Sequence, residues 1–181
     1  EIHHWWAGGS SDSSELLVNG STRGAARFTR PGNAATGLTW PKPTRDWNEG
    51  GLMAAGGDLD NDGRVDLVVA ASDYADQFGL VYQQQPDGRF VDQARAWGLR
   101  HACMSGLVVA DFDRDGDLDV IAGASTARDC SRTWKKNEVR LYENQAQDTT
   151  WLLLTLEGDG VTANRSAIGA KVTVTTPLGT S

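Results

Sequence analysis

The pattern Asp-x-Asp-x-Asp-Gly-x-x-Asp occurs twice, at Asp58–Asp66 and again 53 residues later at Asp111–Asp119. These windows hold nine of the chain's 24 acidic residues, four in the first and five in the second. Carboxylates crowded within a few ångströms repel one another unless a counter-ion or water separates them. The residues that follow, Leu67-Val68-Val69 and Val120-Ile121-Ala122, are short apolar runs of the kind that form strands. Each window therefore reads as a sharp acidic turn that opens a β-strand. A solvated acidic turn is the plain alternative to a metal loop, and the repetition of one nine-residue grammar with similar flanks argues against it.

The spacing suits a hard divalent cation. Ca²⁺ takes six to eight oxygens at about 2.3–2.6 Å, and carboxylates at positions 1, 3 and 5 of a tight loop converge on one point. Gly at position 6 permits the turn, and the carbonyl at position 7 adds an oxygen. The first set is Asp58, Asp60, Asp62 and the Arg64 carbonyl; the second is Asp111, Asp113, Asp115 and the Asp117 carbonyl. A helical EF-hand loop closes with Glu at position 12. Here position 12 is Val69 or Ala122, and Asp66 and Asp119 at position 9 are expected to close the two loops instead. Two Ca²⁺ ions are thus expected, in β-hairpin loops. Mg²⁺ fits less well, because it requires a stricter octahedron and keeps its waters. Two doubly charged cations would bring the formal charge from −7 to −3, so most of the acidic excess is metal-site charge.

Around the loops an internal repeat emerges. Phe28 is followed by Thr36-Gly37-Leu38 and Phe90 by Trp97-Gly98-Leu99, each before an acidic loop. Each unit is expected to run strand (Leu52–Ala55; Gly106–Ala110), loop, strand (Leu67–Ala71; Leu118–Ala122), variable loop, strand (Gly79–Gln83; Glu138–Glu143). A unit of about 50 residues with three or four short strands predicts an all-β fold of propeller-type blades. The expected organisation is an arm or linker over 1–14, two clear blades plus a partial one over 15–145, and a partial C-terminal β domain over 146–181. In that last segment Trp151–Leu156 and Lys171–Thr175 are expected strands.

The acidic balance, 17 Lys+Arg against 24 Asp+Glu, argues against nucleic acid as a partner. No apolar run approaches the ~20 residues of a membrane span. Nucleophile elbows, P-loops and dinucleotide fingerprints are not evident, and His101 near Cys103 lacks the orienting third group that a thiol enzyme uses. The chain is therefore expected to be no enzyme. Cys103 and Cys130 are expected to form a disulfide, with two buried thiols as the alternative. Trp40, Trp47 and Trp134, in loops, are candidate contacts for a sugar or protein partner, or plugs between blades. His3-His4 is a weak metal pair, and Trp5-Trp6 a candidate contact surface. A chain beginning at Glu1 and stopping just after a strand-like run is expected to be part of something longer.

Ala54–Leu67 and Val109–Val120 resemble the FG-GAP/VCBS repeats of integrin-α-type β-propellers. Trp151-Leu152, Leu156, Gly158, Asn164-Arg165, Ala167–Val172 and Val174 resemble the start of an ASPIC/UnbV domain. That order is similar to bacterial secreted proteins related to cartilage acidic protein. The resemblance implies a secreted or cell-surface, or else periplasmic, calcium-binding module. Its implied roles are adhesion, binding of an extracellular protein or polysaccharide, or assembly with copies of itself into an oligomer or fibre. The alternative is the non-catalytic portion of a larger secreted, carbohydrate-active or other enzyme.

Overall fold

The structure, a computed structural model, describes residues 14–39, 51–71, 77–127, 136–146, 151–176 and 179–180. His3-His4, Trp5-Trp6, Trp40, Trp47, Cys130 and Trp134 lie outside the described residues. The chain forms two compact units, Glu1–Thr149 and Thr150–Ser181. It is nearly all β, with one four-residue helix, α1 (Asn33–Thr36), among the described residues.

The first unit opens with a hairpin of β1 (Val18–Asn19) and β2 (Phe28–Thr29). Then comes an antiparallel meander of β3 (Met53–Gly57), β4 (Asp66–Ala70), β5 (Leu80–Gln84) and β6 (Phe90–Asp92), in sequence order. A second meander follows, β7 (Met104–Ala110), β8 (Asp119–Ala124) and β9 (Glu138–Tyr142). Each sheet is an up-and-down arrangement of blade type, and the acidic loops are the β3–β4 and β7–β8 turns. The expected strands sit within a few residues of those found. The first strand of each unit runs on through Gly57 and Ala110 to the edge of the loop.

Alternation along the strands decides what packs where. In the first sheet Val69, Leu80, Tyr82 and Phe90 share one core cluster, joined by Leu16 and Leu38 from the preceding segment. Val68, Ala70 and Val81 point the other way and join Met104, Leu107, Val120 and Ala122 of the second sheet. The first sheet is thus covered on both faces. Close approach depends on Gly57: a Cβ there would lie 2.6 Å from Leu118 Cδ1 and 3.3 Å from Val109 Cγ1.

The repeat expected from Gly37-Leu38 and Gly98-Leu99 is visible in three dimensions. Gly37 and Gly98 both have positive φ, 78° and 75°. Leu38 packs on the first sheet and Leu99 belongs to the cluster between the sheets. Tyr82 Oη donates to the Thr39 carbonyl at 2.8 Å, while Tyr142 Oη lies 2.8 Å from His101 Nδ1. Each unit's third-strand tyrosine therefore reaches the segment just beyond the preceding Gly-Leu pair.

The far face of the second sheet carries exposed apolar side chains among the described residues. Val68 and Val81, facing neighbours in the first sheet, are buried. Their counterparts Ile121 and Leu141 also pair, but Leu141 is 55% exposed and neighbouring Val139 is 74% exposed.

In the second unit two expectations change. Trp151–Leu156 is not a strand, and Lys171–Thr175 reduces to β10 (Thr175–Thr176) paired with β11 (Gly179–Thr180). A strand needs a neighbour for its backbone N–H and C=O groups. Among the described residues of this unit only Gly179–Thr180 offers one. Order over 158–170 comes instead from tight turns, with Gly158 N–H donating to the Arg165 carbonyl at 3.1 Å and Gly160 N–H to that of Ala163 at 2.9 Å, and from side-chain caps. The Thr162 hydroxyl, and after it the N–H groups of Ala163, Val161 and Thr162, donate to Asp159 and hold its carboxyl far below the usual range. Asn164 both accepts from and donates to the backbone of Ile168, which accounts for that residue in the Asn-Arg-Ser-Ala-Ile-Gly string.

Candidate metal centres

Both loops are folded by their own first aspartate. Asp58 accepts from the N–H of Asp62 at 3.0 Å and of Gly63 at 2.8 Å. Asp111 accepts from Arg114 at 2.6 Å and from Gly116 at 3.2 Å. The turn requires left-handed backbone at two positions, filled by Asn61 and Gly63 in one loop and Arg114 and Gly116 in the other. Asn tolerates that region better than most residues, and Gly adopts it freely.

This curl gathers Asp58, Asp60 and Asp62 so that one carboxylate oxygen of each lies within 4.8 Å of the others; Asp111, Asp113 and Asp115 form the matching triad. Asp60 Oδ2 accepts from Gln83 Nε2, but its Oδ1 is buried without a hydrogen-bond partner. An ionised carboxylate oxygen without donor or water is costly. A cation held by the triad would satisfy it, so this donor set fits Ca²⁺. In the second triad partial desolvation raises the Asp113 carboxyl above its ordinary value, helped by the charges of Asp115 and Asp119 and opposed by the Asp115 N–H.

Asp66 and Asp119 stand outside both triads. Asp66, fully buried, accepts from the N–H of Leu59 at 3.1 Å and of Gln84 at 2.8 Å. Asp119 accepts from Phe112 at 3.0 Å and from Asn144 at 2.8 Å. Each position-9 carboxylate thus ties position 2 of its loop to the end of the unit's third strand. Burial, then the charges of Asp60 and Asp62, push the Asp66 carboxyl up, against the pull of its two backbone donors.

Position 7 differs between the loops. The Arg64 guanidinium lies on Asp62 Oδ2 and donates Nε–H to the Gln84 carbonyl at 2.9 Å, giving the first loop an internal cation. Asp117, its counterpart, is buried and accepts from Asn61 of the first loop. Gln83, which donates to Asp60, and Asn61 and Asn144, which bridge the two loops and are not among the triad carboxylates, lie outside the residues that the loop pattern marks. The signal for two of them is the pairing of Tyr82-Gln83-Gln84 with Tyr142-Glu143-Asn144, each closing a third strand 60 residues apart.

His101 and Cys103 do not assemble into a catalytic pair. The His101 ring is buried edge-on against Tyr142, and Cys103 is disulfide-bonded.

Residues 58–122 match the family of FG-GAP-like repeats, a stretch that begins at the first aspartate of the first loop and ends in β8. No curated protein and no solved structure matches the chain significantly.

Proposed function

We propose that the chain is a calcium-stabilised extracellular β-repeat module that binds a protein or polysaccharide, or assembles with copies of itself, and that it is non-catalytic. The observation carrying this reading is the coincidence of an FG-GAP-like repeat with two aspartate triads at equivalent corners of adjacent sheets. Asp58, Asp60 and Asp62 would hold one ion and Asp111, Asp113 and Asp115 the other, with the carbonyls of Arg64 and Asp117 adding an oxygen each. Asp66 and Asp119 keep spare lone pairs after accepting one N–H per oxygen, and can close the sets. Bound Ca²⁺ supplies charge neutralisation and cross-links each β-corner. Secretion or display at the cell surface is part of this reading, and among the described residues no helix is long and apolar enough to cross a membrane. Assignment of residues 144–174 to the start of an ASPIC/UnbV domain rests on the Asn164–Val172 string.

The test is a calcium titration with calorimetry, alongside melting in calcium and in EDTA. Two ions per chain are expected. At free Ca²⁺ of 100 times Kd, each site adds about 2.7 kcal/mol of stability by mass action. Absence of binding heat together with identical melting in EDTA would remove the proposal.

A further inference from the structure

The two acidic loops are joined by hydrogen bonds that neither requires for its own turn. Asn61, at position 4 of the first loop, donates Nδ2–H to Asp117 Oδ1 of the second at 2.6 Å. Asn144 reaches both loops from the end of β9. Its N–H goes to Asp119 at 2.8 Å, and its Nδ2 donates to the Leu59 carbonyl at 2.7 Å and the Leu118 carbonyl at 3.3 Å. Leu59 in turn donates its own N–H to Asp66. A continuous polar path therefore runs from Asp66 through Leu59 and Asn144 to Asp119, beside the direct Asn61–Asp117 link. The direct link is not imposed by the repeat, since Arg64 stands where the first loop would need the counterpart of Asp117.

We propose that the two loops act as one coupled unit: Ca²⁺ in either loop raises the affinity of the other, with Asn61 and Asn144 as the positioning residues. This rests on reading the loops as calcium sites. The sign follows from ordering. Three carboxylates converge only when the loop backbone holds one conformation, and an ion fixes that conformation. With one loop fixed, the Asn61 and Asn144 bonds restrict the other, so less ordering remains when its ion arrives. Repulsion between the ions works against this, but only weakly. The two windows carry nine carboxylates against Arg64 and Arg114, a net −7, and one Ca²⁺ leaves −5. The second ion still enters a negative field.

The experiment is calcium titration of the full chain, with either loop disabled by Asp60→Ala or Asp113→Ala. Disabling one loop is expected to weaken the other roughly fivefold or more, in the usual range for coupled sites. Asn61→Gly removes the bridging amide while leaving the backbone free to keep its φ of 57°. In that background, and with Asn144→Ala, the same disabling changes should leave the remaining loop's affinity almost unmoved while the parent variant still binds two ions. The parent chain should titrate with a Hill coefficient above one and the Asn61→Gly variant near one, a readout that does not depend on the disabled variants folding. A merely structural amide would shift melting in EDTA and leave the Hill coefficient alone. Two independent ions in the parent chain, weakening of one site by the other, or coupling that survives both variants overturns the proposal. Failure to bind any calcium overturns the underlying reading, and shows before a variant is made.

Discussion

Asp66→Ala separates two roles for the buried position-9 carboxylate. In the structure it is the acceptor for two backbone N–H groups, Leu59 at 3.1 Å and Gln84 at 2.8 Å, and it is fully buried. Alanine leaves both donors buried without partners. Each orphan costs about 1–3 kcal/mol, so the loss is about 2–6 kcal/mol before relaxation. The lower half of that range is expected, because the substitution also removes a desolvated charge. For a unit of this size, about 1 kcal/mol moves Tm by about 2–4 °C, so the drop should be roughly 5–15 °C. The assay is thermal unfolding of the variant and the parent chain, both in EDTA, so that metal affinity does not enter. Asp119→Ala should behave similarly, having the same two-donor arrangement. If Asp66→Ala matches the parent chain in EDTA and differs only by losing one Ca²⁺, the carboxylate is a ligand and its backbone bonds are incidental.

His101 supplies a pH test. Burial, then the nearby Arg140 charge, holds its pKa below the ordinary 6.5, with Glu138 opposing. The unfolded chain then takes up the proton first, so stability is full above about 6.5 and falls as pH drops toward the lowered folded value. Urea midpoints at pH 7.5 and 5.5 should differ more for the parent chain than for His101→Asn; equal slopes would show that the ring does not contribute. Cys103 and Cys130 should appear as one disulfide by intact mass with and without reductant. Closing a loop of about 27 residues, it is worth about 3.5 kcal/mol in the chain-entropy account; two free thiols would refute the pairing. The far face of the second sheet should drive self-association, because Val139 and Leu141 are exposed where the first sheet's counterparts are covered. Light scattering should show oligomers that Val139→Lys with Leu141→Lys disperses, and a monomeric parent chain would refute it.

The sequence revealed most where structure is local. The loop grammar placed both triads, because convergence of positions 1, 3 and 5 is a property of nine consecutive residues. Val-rich runs bounded by Gly and Asp located the strands to within a few residues. The boundary error at β3 has a physical cause: Gly56 and Gly57 look like turn residues, yet Gly57 pairs with Asp66 in the β3–β4 ladder, and Leu118 occupies the space where a side chain would be. Position 9 reads from the sequence as a closing ligand, and only the structure shows Asp66 and Asp119 capping backbone N–H groups. The Asn61–Asp117 bond spans 56 residues and depends on two loops becoming neighbours, which no local pattern encodes. Trp151–Leu156 failed for the opposite reason. Apolarity specifies burial but not a partner, and a strand requires one.

On the proposed calcium reading, the loops join metal chemistry to packing through their even positions. Positions 1, 3, 5 and 9 carry the carboxylates in both loops. Leu59, at position 2 of the first loop, lies in the cluster between the sheets, and Leu118, at position 8 of the second, packs against that same cluster and over Gly57. The backbone that brings Asp58 and Asp60 together therefore also sets where Leu59 enters the core, and the turn through Asp117 and Asp119 sets Leu118. An ion that fixes either loop fixes a side chain at the sheet–sheet interface. Stabilisation by calcium should accordingly be felt between the sheets as well as within each hairpin. That is where a repeat fold needs it, since each sheet buries its apolar faces only by stacking on its neighbours.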